Sequence, residues 1–114
     1  MPAFAIALKQ FQHGEAVAAG MVAESRLAER LGWIDSTLTD RLSNLLRLLG
    51  LPTAAPRLDA DALLDAMTLD KKNRGGRIRF VLPRRLGQVE LTDAPTEADL
   101  RAVLLRLATP DNPS

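Results

Sequence analysis

Two groups of side chains in this sequence could do chemistry. The first is the run His13-Gly14-Glu15-Ala16-Val17, which holds the only histidine among 114 residues. A neutral imidazole nitrogen suits a divalent metal such as zinc, but a catalytic zinc takes about three protein ligands. Glu15 lies two residues on, and that spacing points to a different side of a helix. It reads better as a first-turn acid favouring the positive end of the helix dipole. The second group is Asp70-Lys71-Lys72-Asn73-Arg74-Gly75-Gly76, a dense basic turn. A lysine there offers a phosphate dianion a point-charge partner. The plainer reading is a solvated polar turn before a strand, with Gly75 and Gly76 supplying unusual backbone angles. Two glycines without Gly-x-Gly-x-x-Gly after a strand make no dinucleotide fingerprint. With no cysteine there is no thiolate ligand or nucleophile. Ser25, Ser36 and Ser43 fall in helical or capping settings with no histidine nearby in sequence.

Charge is unevenly spread. Residues 71–85 carry Lys71, Lys72, Arg74, Arg77, Arg79, Arg84 and Arg85 and no acid, whereas the remainder holds eight basic and fourteen acidic residues. Such a stretch favours an anion: a phosphate, a carboxylate or nucleic acid. Nucleic acid is the weakest of these. Phe80 is the only interleaved aromatic and falls on the strand face opposite Arg77 and Arg79, so no stacking platform forms.

The elements that must position these groups follow from periodicity. Residues 15–31 predict a helix with Val17, Met21, Ala28 and Leu31 on one side and Ala16, Gly20, Ala23 and Leu27 beside them. Glu24, Arg26, Glu29 and Arg30 fall largely away from that stripe, and Gly32 is a C-cap candidate. A second helix begins near Asp35-Ser36 and buries Leu38, Leu42, Leu45, Leu46 and Leu49, stopping at Gly50 and Pro52. Trp33 is expected to plug the junction of the two. The loop Leu51 to Leu58 should be ordered but exposed. Asp59 caps a third, shorter helix with Leu63, Leu64 and Met67. Arg77 to Leu82 alternates with Ile78, Phe80 and Leu82 on one face; Val89 and Leu91 alternate with Gln88 and Glu90, and Pro83 to Gly87 turns between them, giving a β-hairpin. Thr96-Glu97-Ala98-Asp99 resembles a capping box, with Asp in the usual Glu or Gln position, and opens a last helix carrying Leu100, Val103, Leu104 and Leu107.

The expected fold is mainly α: a small bundle of about four helices with one β-hairpin lying on it. One domain fits this length. No apolar run approaches the ~20 residues that span a bilayer, and the short apolar start Met1 to Leu8 makes a poor signal peptide. The lack of cysteine fits a reducing cytosol.

The run His13 to Val22 resembles the metal-ligand segment of the 3-dehydroquinate synthase family. Met67 to Leu82, with its Asp70-Lys71-Lys72 and Gly75-Gly76, resembles a second signature of that family. Leu49-Gly50-Leu51-Pro52-Thr53 matches the helix-to-loop junction between them. The three occur in the family's order at about its separation, and the resemblance covers roughly residues 12–107. It implies a C-terminal helical domain at 13–108, with 1–12 an unmatched extension and 109–114 a frayed tail. It also implies a part in a lyase of the shikimate pathway to aromatic amino acids, in the cytoplasm. Such enzymes use NAD and a divalent metal, zinc or cobalt, to turn a phosphate-bearing seven-carbon keto acid into 3-dehydroquinate.

On that resemblance His13 is one of three metal ligands and Lys71 contacts the substrate phosphate. The other two ligands, a glutamate and a histidine, belong to an upstream Asn-x-Gly-His-x-x-Gly-His stretch that this sequence does not contain, nor does it contain the N-terminal NAD-binding domain. No catalytic set is complete, no cofactor-binding residue is expected, and neither NAD nor metal should be held tightly by this chain alone. It should be inactive without an N-terminal domain or chain as partner, and a homodimer remains open. The same body occurs in related sugar-phosphate cyclases and metal-dependent alcohol dehydrogenases, and Asp70-Lys71-Lys72 favours the cyclase side. Two alternatives stand from other classes. One is a non-catalytic interaction module exposing an apolar surface around Ala16, Ala19 and Gly20; the other is a nucleic-acid binder using residues 71–85.

Overall fold

A computed structural model describes residues 13–54, 59–85 and 87–108, and within them the side chains from Val17 onward. The expectations placed on residues 1–12, on the side chains of His13, Glu15 and Ala16, on residues 55–58 and on the tail 109–114 lie outside the described residues. Helix α1 (His13–Arg30) is rich in small residues, and it sits at the centre of the fold. Ala18, Ala19, Val22, Ala23, Leu27 and Ala28 are all buried, and so is Gly20. The missing bulk lets neighbouring elements approach the helix closely. Leu46 packs on Ala18 and Val22, while Ala19, Ala23, Leu27 and Ala28 join the main core.

That central position corrects two expectations. Val17 and Met21, placed on the buried stripe, are 47% and 41% exposed. Conversely, the surface expected to lie open around Ala19 and Gly20 is buried. Small side chains occupy the contacts because the neighbours leave no room for larger ones.

The helix ends on a glycine. The Gly32 N–H donates to the Glu29 carbonyl and the Trp33 N–H to the Ala28 carbonyl, both at 2.9 Å. With Gly32 at φ +76°, this is the Schellman closure that a left-handed residue makes possible. Asp35 then caps α2 (Ser36–Leu48), its carboxylate accepting the Thr37 N–H at 2.9 Å. Helix α2 turns a different face inward than the leucine pattern predicts. Thr39, Ser43 and Leu46 are its buried residues; Leu38 and Leu42 are half-buried; Leu45, Leu48 and Leu49 are exposed. Close packing on the small residues of α1 admits hydroxyl side chains, and the leucine ridge flanks that contact instead of filling it.

Asp59 caps α3 (Ala60–Asn73) by accepting the Ala62 N–H at 3.0 Å. At fourteen residues α3 is not short: it takes Lys71, Lys72 and Asn73 into its last turn. Strands β1 (Phe80–Arg85) and β2 (Gln88–Thr92) form the antiparallel hairpin, with Phe80 opposite Thr92 and Val81 opposite Leu91. β1 begins at Phe80, not at Arg77, because β2 ends at its partner Thr92. It runs on through Pro83, which a two-stranded ribbon tolerates at its irregular position between Pro83 and Arg85. Phe80 and Leu82 are buried in the main core, and β1 packs on α1. Val81, Val89 and Leu91 are exposed on the other face.

Helix α4 (Glu97–Ala108) opens with the expected capping box: the Asp99 N–H donates to Thr96 Oγ1 at 3.1 Å, and the Thr96 N–H donates to Asp99 Oδ2 at 2.9 Å. Leu100, Val103, Leu104 and Leu107 face inward and meet Leu27, Leu63, Leu64, Met67, Phe80 and Leu82. The described residues thus form four helices and one hairpin, the expected mainly α architecture.

Candidate functional site

Lys71 is presented by a helix end, not by a free turn. The Arg74 and Gly76 N–H groups both donate to its carbonyl, at 3.1 and 2.9 Å. Gly75, at φ +77°, supplies the left-handed residue that lets the chain reverse there. The backbone of Lys71 is therefore fixed, while its exposed ammonium forms no ion pair among the described residues. Lys71 lines a cleft of about 180 Å³ whose other charged groups are Arg77, Asp93 and Glu97. Thr68 and Gly76 contribute to its wall together with the apolar Ile78, Pro95 and Leu100. The Thr68 hydroxyl is already committed, donating to the Leu64 carbonyl at 2.8 Å.

Arg77 and Asp93 approach to 3.8 Å between Nε and Oδ2. That is too long for a hydrogen bond, and both side chains are largely solvated, so the pair is weak. Asp93 and Glu97 are the cleft residues that sequence reasoning missed. The signal was the hairpin itself. Pairing Phe80 with Thr92 returns residue 93 to the end of the ribbon where residue 77 enters.

The positive run is partly neutralised on the spot. Arg74 pairs with Asp70 at 3.0 Å, and the Arg84 guanidinium lies 4.3 Å from the centre of the Trp33 ring. Trp33 is half-buried against the main core, to which α2 contributes no residue, so it packs on that core and not, as expected, between α1 and α2. All seven basic residues of the run are nonetheless exposed.

His13 is the first residue of α1, but its side chain lies outside the described residues. Among the described residues no group of three His, Cys, Asp or Glu is placed to hold a metal ion. The described residues by themselves do not fit a metal centre, and the one imidazole of the sequence is not among their described side chains. Two carboxyls are perturbed elsewhere. Burial without a compensating charge pushes Glu24 up to about 7. The Thr96 N–H above all holds Asp99 below the ordinary carboxylate range; burial opposes it, and the Arg30 side chain and the Thr96 hydroxyl add smaller lowering effects.

A mainly helical body with one two-stranded hairpin is the fold this chain shares with a dehydroquinate synthase-like enzyme. The chain belongs to the 3-dehydroquinate synthase C-terminal family, whose model matches residues 4–73. It is 44% identical over 99 residues to 3-dehydroquinate synthase of a Synechococcus species, covering 86% of this chain and 27% of that protein. It is 45% identical over 93 residues to the Nostoc punctiforme 3-dehydroquinate synthase, covering 81% and 26%. Among solved structures it resembles a 2-epi-5-epi-valiolone synthase from Streptomyces hygroscopicus, solved with NAD+ and Zn2+ bound, at TM-score 0.73 and 33% identity. That match covers 90% of this chain and 28% of the other. The chain thus spans little more than a quarter of the relatives it matches. No helix among the described residues is long and apolar enough to cross a membrane.

Proposed function

We propose that this chain contributes part of the active site of a 3-dehydroquinate synthase. Lys71 contacts the phosphate of the keto-acid substrate, and His13 supplies one imidazole to a divalent metal whose remaining ligands lie outside these 114 residues. The observation that carries the reading is Lys71 itself: a cation with no ion-pair partner among the described residues, on a fixed backbone, lining a cleft. When bound, the metal would polarise substrate oxygen. The chain's own contribution is to fix the lysine against the phosphate before it leaves, since orientation is worth several kcal/mol of the barrier. NAD belongs to the other part of the enzyme, and catalysis needs both parts together.

The test is phosphate release from the seven-carbon substrate with NAD and zinc. It is run with the chain alone and with a separately expressed N-terminal domain of the Synechococcus relative. Release only in the mixture, lost in His13→Ala and in Lys71→Ala, is the expected outcome. Release by the chain alone would overturn the need for a partner. Zinc retention by the mixture, measured by metal analysis, should fall in His13→Ala whether or not turnover is seen. The curated relatives named here are both 3-dehydroquinate synthases, which favours this activity over that of the related cyclases.

A further inference from the structure

We infer that Arg77 is a second anion contact in the cleft, acting beside Lys71. The inference rests on the reading of Lys71 as a phosphate contact and adds a residue to it. Lys71 and Arg77 belong to different elements, the last turn of α3 and the segment entering β1. The Gly76 N–H to Lys71 carbonyl bond fastens that segment to the helix, and both side chains line the same cleft.

Arg77 is also available. Its nearest acid, Asp93, stands 3.8 Å from Nε, beyond hydrogen-bond reach. A guanidinium carries five N–H donors, and Arg77 donates no hydrogen bond to another described residue. A phosphate dianion has more acceptor sites than one ammonium can fill. The planar fork of an arginine can take two of its oxygens while the lysine serves as a point charge. Glu97 supplies the opposing sign. It lines the cleft at the first turn of α4, so its carboxylate should weaken any anion held by Lys71 and Arg77. A ligand elsewhere on the basic surface would not sense it to the same degree.

The experiment titrates inorganic phosphate into the full chain at low ionic strength, followed by calorimetry, with circular dichroism confirming an unchanged fold for each variant. Arg77→Gln should weaken binding about fivefold, the scale of one exposed charge pair. Arg77→Lys should recover part of the loss, and Glu97→Gln should tighten binding. Weakening in Lys71→Ala with no change in Arg77→Gln overturns this inference and leaves the lysine reading standing. Weakening in Arg77→Gln with none in Lys71→Ala overturns the lysine reading and, with it, the paired contact. An unchanged Kd in Glu97→Gln removes the anion from this cleft, and no saturable binding overturns both readings.

Discussion

Arg30, the last residue of α1, places its Nε 2.9 Å from Oδ1 of Asp99, the third residue of α4 and the acidic half of its capping box, sixty-nine positions later. The other oxygen of Asp99 accepts the Thr96 N–H. One carboxylate therefore starts a helix and ties that start to the end of another. Asp99→Ala loses the capping box and the ion pair together, and should cost about 1–2 kcal/mol. Arg30→Ala loses only a part-exposed pair and should cost less than about 1 kcal/mol. Urea unfolding of the two variants checks the order.

The perturbed carboxyls predict opposite pH dependences. Asp99 is depressed in the folded chain by the Thr96 N–H and by Arg30. Its stabilisation is complete above the unfolded carboxyl range and is lost as pH falls through the folded value, so the effect is confined to acid, below about pH 4. Glu24 is raised by burial to about 7, so the folded state holds a proton that the unfolded chain has released. Stability should therefore decline as pH rises from about 4.5 to 7. Glu24→Gln should remove that decline and gain roughly 1–2 kcal/mol at pH 8 after allowance for solvent screening. Thermal unfolding across pH 4–8, wild type against Glu24→Gln, reads this directly; parallel curves would sink the assignment.

Gly75 separates backbone geometry from packing. An added Cβ there meets nothing within 4 Å, yet the residue holds φ +77°. Gly75→Ala should cost about 1 kcal/mol through the left-handed conformation alone. It should also loosen the last turn of α3 that carries Lys71, so phosphate affinity should drop with stability. A variant that lost stability and kept affinity would show that the turn does not position the lysine.

Legibility in the sequence followed how local each determinant is. Asp35, Asp59 and the Thr96–Asp99 box act on backbone N–H groups two or three residues away, and those three helix starts were readable from residue type, whereas α1, read from residue 15, begins at His13. The hairpin was readable from alternation, though its first residue was not, because Arg77 to Arg79 alternate without a partner strand opposite them. The cleft was half legible. Lys71 stands in a recognisable motif, whereas Asp93 and Glu97 reach it only through the hairpin register and the α4 cap. Which face of a helix is buried was the least legible, because hydrophobicity marks what can be buried and not what a neighbour leaves room for. On α1 that choice fell to alanines over Val17 and Met21, and on α2 to Thr39 and Ser43 over three leucines.

Leu45 and Leu46 make that last point measurable. They are adjacent, chemically identical and equally at home on a predicted leucine stripe. Leu46 is buried against Ala18 and Val22, while Leu45 is 53% exposed. Leu46→Ala opens a cavity in a contact with no slack and should cost about 2–5 kcal/mol. Leu45→Ala removes a side chain that is mostly in water and should stay within about 0.5 kcal/mol. Equal losses in denaturant unfolding would mean that α2 is rotated from the orientation described, with its leucine ridge against α1. A loss confined to Leu46 would fix Leu45, Leu48 and Leu49 on the outer side of the bundle.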